Sequence, residues 1–124
     1  MAVCTTVEEN SCGVGDSLLG MDREYDKLVR DRIPEIIEAD DETPITHVAD
    51  DEEYARRLRE KLDEEVGEYR ESGRPEELAD VLEVVYALGR AHDLSEDELR
   101  EKRRQKATER GGFDDQVVLD GVRE

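Results

Sequence analysis

Two pairs of carboxylates share a spacing that chemistry can use. Glu65 and Glu68 stand at i, i+3, and so do Glu77 and Asp80, with a Gly73-Arg74-Pro75 break between the pairs. On a helix this spacing places two side chains on one face and aims them at one point. Four carboxylates converging from two facing helices suit a hard divalent cation, and helical bundles build metal sites in this way. The competing reading is that ExxE and ExxD arise by chance in so acidic a chain and lie on solvated faces.

A helical wheel separates the two readings, each residue advancing by about 100°. Tyr54, Leu58, Leu62, Val66 and Tyr69 form an apolar stripe spanning roughly 120°. Glu65 falls inside it, between Tyr54 and Leu58 in angle, Glu68 lies on its flank, and Glu64 about 40° further round. In the next segment Leu78, Val81, Leu82, Val84, Val85, Tyr86 and Leu88 make a broader apolar arc, with Glu77 within it and Asp80 at its edge. A carboxylate in an apolar face costs several kcal/mol unless it is neutralised or paired. Glu65 and Glu77 therefore carry the physical argument for a cation.

The elements that position these residues read as helices. Tyr25 to about Asp40 holds a short one, with Pro34 in its first turn and Asp31 as its cap. Residues 41–49 contain Pro44 and a β-branched run, and read as extended. A long helix is predicted from about Asp51 to Ser72, where Asp50 and Glu53 have the form of a capping box. Gly73 ends it and Pro75 suits the start of a third helix reaching about His92. Ser95 and Glu98 repeat the capping-box pattern at the start of a fourth, which Gly111-Gly112 stops after Arg110. The expected fold is an all-α bundle of two long antiparallel helices with shorter ones packed round them. Ile45–Val48 and the run from Phe113 to Leu119 are predicted to pair as a minor two-stranded β element. Residues 1–20, rich in small and turn-forming types, read as a disordered extension, or as an over-called start with Met21 as the natural beginning. Residues 21–124 then form the domain.

Composition limits the functions available. The chain has 124 residues, enough for one domain with a small core. Asp and Glu number 36 against 18 Lys and Arg, giving a net charge of −18. That balance argues against wrapping a nucleic acid polymer or docking on an anionic membrane, since both need basic surfaces. No run is long or apolar enough to span a membrane, and no signal peptide is read, so a cytoplasmic location is expected. Cys4 and Cys12 lack zinc-site spacing and read as incidental thiols. His47 and His92 are isolated and are assigned structural or solvent roles, and Tyr54, Tyr69 and Tyr86 are assigned to packing.

Against this acidic background the basic clusters stand out. Lys102, Arg103, Lys106 and Arg110 fall within about 100° on the fourth helix, a cationic face that suits an anion. Lys27, Arg30 and Arg32 make a second cluster. The plain alternative for both is salt bridging with neighbouring acids.

EEVGE (Glu64 to Glu68) followed by ELAD (Glu77 to Asp80) resembles the EExxE…ExxD signature of the MazG-like, all-α nucleotide pyrophosphohydrolase superfamily. YDKLVRDRIPEII, EELADVLEVVYAL and KRRQKATERGGF resemble one branch of it, so that the likeness covers about residues 25–119. The resemblance implies a MazG-like bundle that hydrolyses a nucleoside triphosphate to the monophosphate and pyrophosphate, in a house-cleaning role. It implies Mg²⁺, with Mn²⁺ as a substitute, held by Glu65, Glu68, Glu77 and Asp80. Glu65 and Glu64 become the catalytic carboxylates, Glu64 as a further ligand or an orienter of water. Lys102, Arg103, Lys106, Arg110, Lys27 and Arg30 become the substrate phosphate contacts, and a homodimer or higher oligomer is expected. Phosphoribosyl-ATP, as in histidine biosynthesis, is the alternative substrate. A non-catalytic acidic helical interaction module is the alternative from another class.

Overall fold

The computed structural model describes residues 23–124, so the reading of residues 1–20 lies outside the described residues. Four helices follow in order: α1 (Ile33–Ala39), α2 (Asp51–Ser72), α3 (Pro75–Ala91) and α4 (Glu96–Arg110). No strand occurs among the described residues. No helix there is long and apolar enough to cross a membrane.

The long helix α2 begins where the Asp50 side chain accepts a hydrogen bond from the Glu53 N–H at 2.8 Å. Only this half of the expected capping box forms. The Glu53 carboxylate turns instead to His47 and Arg57, which hold its pKa below the ordinary value. Gly73 ends α2 with φ at +67°, a left-handed conformation that suits glycine. Its N–H donates to the Tyr69 carbonyl. Pro75 then opens α3, where its missing N–H costs nothing.

This two-residue turn returns α3 antiparallel along α2. Leu58, near the start of α2, packs with Val84 and Ala87, near the end of α3, and Leu28, Leu62 and Leu88 close around them. The helix α4 has the full capping box at Ser95 and Glu98 and docks through Leu99 onto Gly89. A Cβ added at Gly89 would lie 3.1 Å from the Leu99 side chain, so the missing side chain permits the close approach.

Two expectations need correction. The cap of α1 is Arg32, without a side-chain hydrogen bond, rather than Asp31. The predicted β pairing does not form: Ile45 and Val48 are exposed, and so are Val117, Val118 and Leu119. A lone two-stranded ribbon is marginal in water, and neither run has an apolar surface to lie on. The apolar stripes are only partly covered. Tyr54, Val66, Leu78 and Leu82 stay exposed, because a single facing helix shields less than the whole arc.

Candidate functional site

The antiparallel pairing brings the end of α2 against the start of α3, and the four ExxE…ExxD carboxylates are buried there. Glu65 is 3% exposed, Glu68 8%, Glu77 4% and Asp80 5%. The buried apolar core of the described residues consists of Ile33, Leu58, Val84 and Ala87. As many acids as apolar side chains are thus withdrawn from solvent. Glu68 and Asp80, which the wheel placed at the margins, are buried as well, Glu68 the least of the four.

Glu65, Glu77 and Asp80 each offer one carboxylate oxygen, and these oxygens lie within 4.8 Å of one another. Glu65 Oε1, Glu77 Oε1 and Asp80 Oδ2 are buried and take no hydrogen bond from any described residue. Such oxygens have lost water without a protein donor in return, at about 1–3 kcal/mol or more each. Octahedral Mg²⁺ with bonds near 2.1 Å separates its ligand oxygens by roughly 3–4 Å. Small side-chain adjustments bring the three within that range, so the donor set fits a hard divalent cation.

The same acids are ringed by cations. Lys61 Nζ lies 3.3 Å from both Glu64 and Glu65. Lys27 donates to the other Glu64 oxygen at 2.9 Å. Arg30 donates to Asp80 Oδ1 at 2.8 Å, and Arg74 reaches Glu77 Oε2 at 3.5 Å. Lys27 and Arg30 come from the segment before α1, which crosses the paired helices as Leu28 joins their core. Burial pushes the Glu65 carboxyl above its ordinary pKa, Lys61 opposes the shift, and the nearby Asp80 and Glu64 charges add to it. Burial lowers the Lys27 pKa against the pull of Glu64.

Lys61 and Arg74 were not singled out by the sequence. Lys61 lies about 60° from Leu58 on the wheel, on the side of Glu65, and is 8% exposed. Its position four residues before Glu65 was the available signal. Arg74 lies in the turn, where a wheel says nothing.

The second group of expected phosphate contacts is placed differently. Lys102, Arg103, Lys106 and Arg110 are exposed on α4, and among the described residues they form no salt bridge. Glu96, Asp97 and Glu101 of α4 pair instead with Arg100 and Arg104. This helix meets α3 at Gly89 and Tyr86, and Gly89 is about 13 Å beyond Asp80 along the axis. The structure therefore brings Lys27 and Arg30 to the acidic cluster and shows no contact between it and the α4 cations. His47 pairs with Glu53 near the start of α2, away from the cluster.

No family model matches the chain, and no solved structure matches it. A protein of Mycolicibacterium smegmatis, described only as uncharacterized, is 54% identical over 44 residues. The match covers 36% of this chain and 45% of that protein's length.

Proposed function

We propose that the chain is a Mg²⁺-dependent nucleotide pyrophosphohydrolase of the MazG-like type, converting a nucleoside triphosphate to its monophosphate and pyrophosphate. One observation carries the reading: three buried carboxylates from two helices converge to within 4.8 Å, and each has one buried oxygen without a protein donor. An acidic surface alone leaves its carboxylates in water. Burying these is costly unless a cation neutralises them.

In this reading Glu65, Glu77 and Asp80 would hold the metal, with Glu68 completing the acidic wall. Bound Mg²⁺ supplies neutralisation of phosphate oxygens and activation of a water. Release of pyrophosphate requires the water oxygen to join the α-phosphorus as its bond to the β-bridging oxygen breaks. Glu64 is suited to orient that water, because Lys27 and Lys61 fix its carboxylate from both sides. The favoured role is the removal of non-canonical or surplus nucleotides in the cytoplasm.

The test is a panel of nucleoside triphosphates and phosphoribosyl-ATP, assayed for pyrophosphate at several salt concentrations with and without Mg²⁺. Metal-dependent pyrophosphate from at least one triphosphate is expected. Turnover confined to phosphoribosyl-ATP moves the assignment to the histidine-pathway reaction. No pyrophosphate from any of them leaves the interaction module as the reading.

The same reading assigns a second copy of the chain to the exposed apolar face of α3. Leu78 and Leu82 are each 49% exposed and, at i, i+4, adjacent on the helix. A chain with so small a core gains by burying them. Light scattering is expected to give at least twice the chain mass, falling to the single-chain mass in a Leu78→Lys, Leu82→Lys variant. A monomeric parent contradicts this assignment.

A further inference from the structure

The four cations around the acidic cluster fall into two kinds. The side chains of Lys27 and Lys61 are 12% and 9% exposed, and together they hold Glu64. Those of Arg30 and Arg74 are 44% and 63% exposed. Each of these arginines engages one oxygen of a cluster acid, Asp80 Oδ1 or Glu77 Oε2, and leaves the other oxygen buried without a donor. The inner pair is fixed by burial. The outer pair reaches in from solvent.

Charge balance gives this division a consequence. Glu64, Glu65, Glu77 and Asp80 are ion-paired with the four cations, and the buried Glu68, whose charge acts on Lys27, leaves one negative charge in excess. One divalent cation among Glu65, Glu77 and Asp80 reverses the sign of that excess. Asp80 and Glu77 then have a stronger partner, and the two guanidiniums lose much of their hold. Their forked donors suit phosphate oxygens in particular.

We propose that Arg30 and Arg74 are exchange residues: they neutralise Asp80 and Glu77 in the metal-free protein and are handed to the substrate's phosphates when the divalent cation enters. This rests on the metal site proposed above. It adds Arg74 as a phosphate contact, and makes metal entry the step that creates the anion site. Arg30 comes from the segment before α1 and Arg74 from the turn before α3, so they approach the cluster from separate parts of the chain. A polyphosphate lying on the metal thus meets a guanidinium from each.

The exchange predicts effects of opposite sign from one substitution. Arg30→Gln and Arg74→Gln each remove a competitor of the metal, so each is expected to tighten Mn²⁺ binding, measured by calorimetry without nucleotide, by roughly two- to fivefold. Each is also expected to weaken binding of inorganic pyrophosphate to the Mn²⁺-loaded protein, by roughly tenfold. General loss of positive charge also moves the two affinities apart, so Arg32→Gln is the control: Arg32 lies in the same segment but pairs with Glu35 rather than with the cluster, and its loss should move neither affinity appreciably. The two variants act from different segments, so a folding defect in one, seen by circular dichroism, leaves the other as the test. Mn²⁺ affinity that is unchanged or weaker in a folded variant overturns the exchange, and so does pyrophosphate affinity that is unchanged. Absence of Mn²⁺ binding in the parent is a separate outcome, and overturns the metal site itself.

Discussion

Glu65→Gln is expected to abolish Mg²⁺-dependent pyrophosphate release and the Mg²⁺-induced rise in melting temperature, while the metal-free variant melts no lower than the parent. The loss of activity follows from the charge. The amide keeps the shape and part of the hydrogen-bonding capacity but is a far poorer ligand for a hard cation. Metal-based stabilisation of phosphate charge is worth several kcal/mol, so turnover should fall by about a hundredfold or more. The retained stability follows from burial. An ionised Glu65 is a cost to the metal-free fold, offset in part by Lys61.

The pH dependence has a definite sign. The folded pKa of Glu65 lies above its unfolded value. Its favourable contribution is therefore fully present below the unfolded pKa and is lost as pH rises through the folded one. Metal binding needs the ionised form, so metal affinity should rise over the same window. Melting curves across the mildly acidic range, with and without Mg²⁺, check both slopes. A Gln variant that retains full activity and a full metal shift contradicts the assignment of Glu65 to the site.

Lys61→Met is expected to give a large loss of stability in the metal-free protein. Its ammonium lies between Glu64 and Glu65, with the Lys61 and Glu65 side chains 9% and 4% exposed. Removing one member of a buried ion pair costs about 3–5 kcal/mol, because the remaining charge is left without compensation. The cost here should be nearer 2–3 kcal/mol, since the Glu64 side chain is 22% exposed and keeps Lys27. Two conditions should relieve it. Mild acid lets Glu65 take up a proton, and Mg²⁺ supplies the missing positive charge. Urea denaturation near neutral pH, under mildly acidic conditions, and with Mg²⁺ measures all three. A variant as stable as the parent in every condition means that Lys61 is not the counterion of this cluster.

Much of the acidic cluster was legible because its signal is periodic. Glu65 and Glu77 sit at angles that an apolar stripe normally reserves for Leu or Val, and both are buried. Spacing placed Glu68 and Asp80 beside them. Their depth depends on tertiary packing: the helices close on each other and the segment carrying Lys27 and Arg30 lies across them. A wheel drawn for one helix contains neither effect. It did contain Lys61, whose angle borders that of Glu65, but long cationic side chains usually lead to solvent.

The helices were legible through their ends, since Gly73, Pro75 and the Ser95–Glu98 capping box act locally. The predicted strands failed because β-branched composition gives a strand no partner and no surface to pack on. The cationic face of α4 is likewise a local fact. Lys102, Arg103, Lys106 and Arg110 share a face by spacing, but the direction of that face follows from how Leu99 seats on Gly89.

The proposed metal site is tested most directly by electron paramagnetic resonance of Mn²⁺, titrated with the full chain at a salt concentration that screens the acidic surface. The parent should diminish the free Mn²⁺ signal to saturation, Mg²⁺ should restore it, and a folded Glu77→Gln variant should leave it nearly undiminished. A signal diminished equally by parent and variant, or by neither, contradicts a divalent-cation site built from Glu65, Glu77 and Asp80.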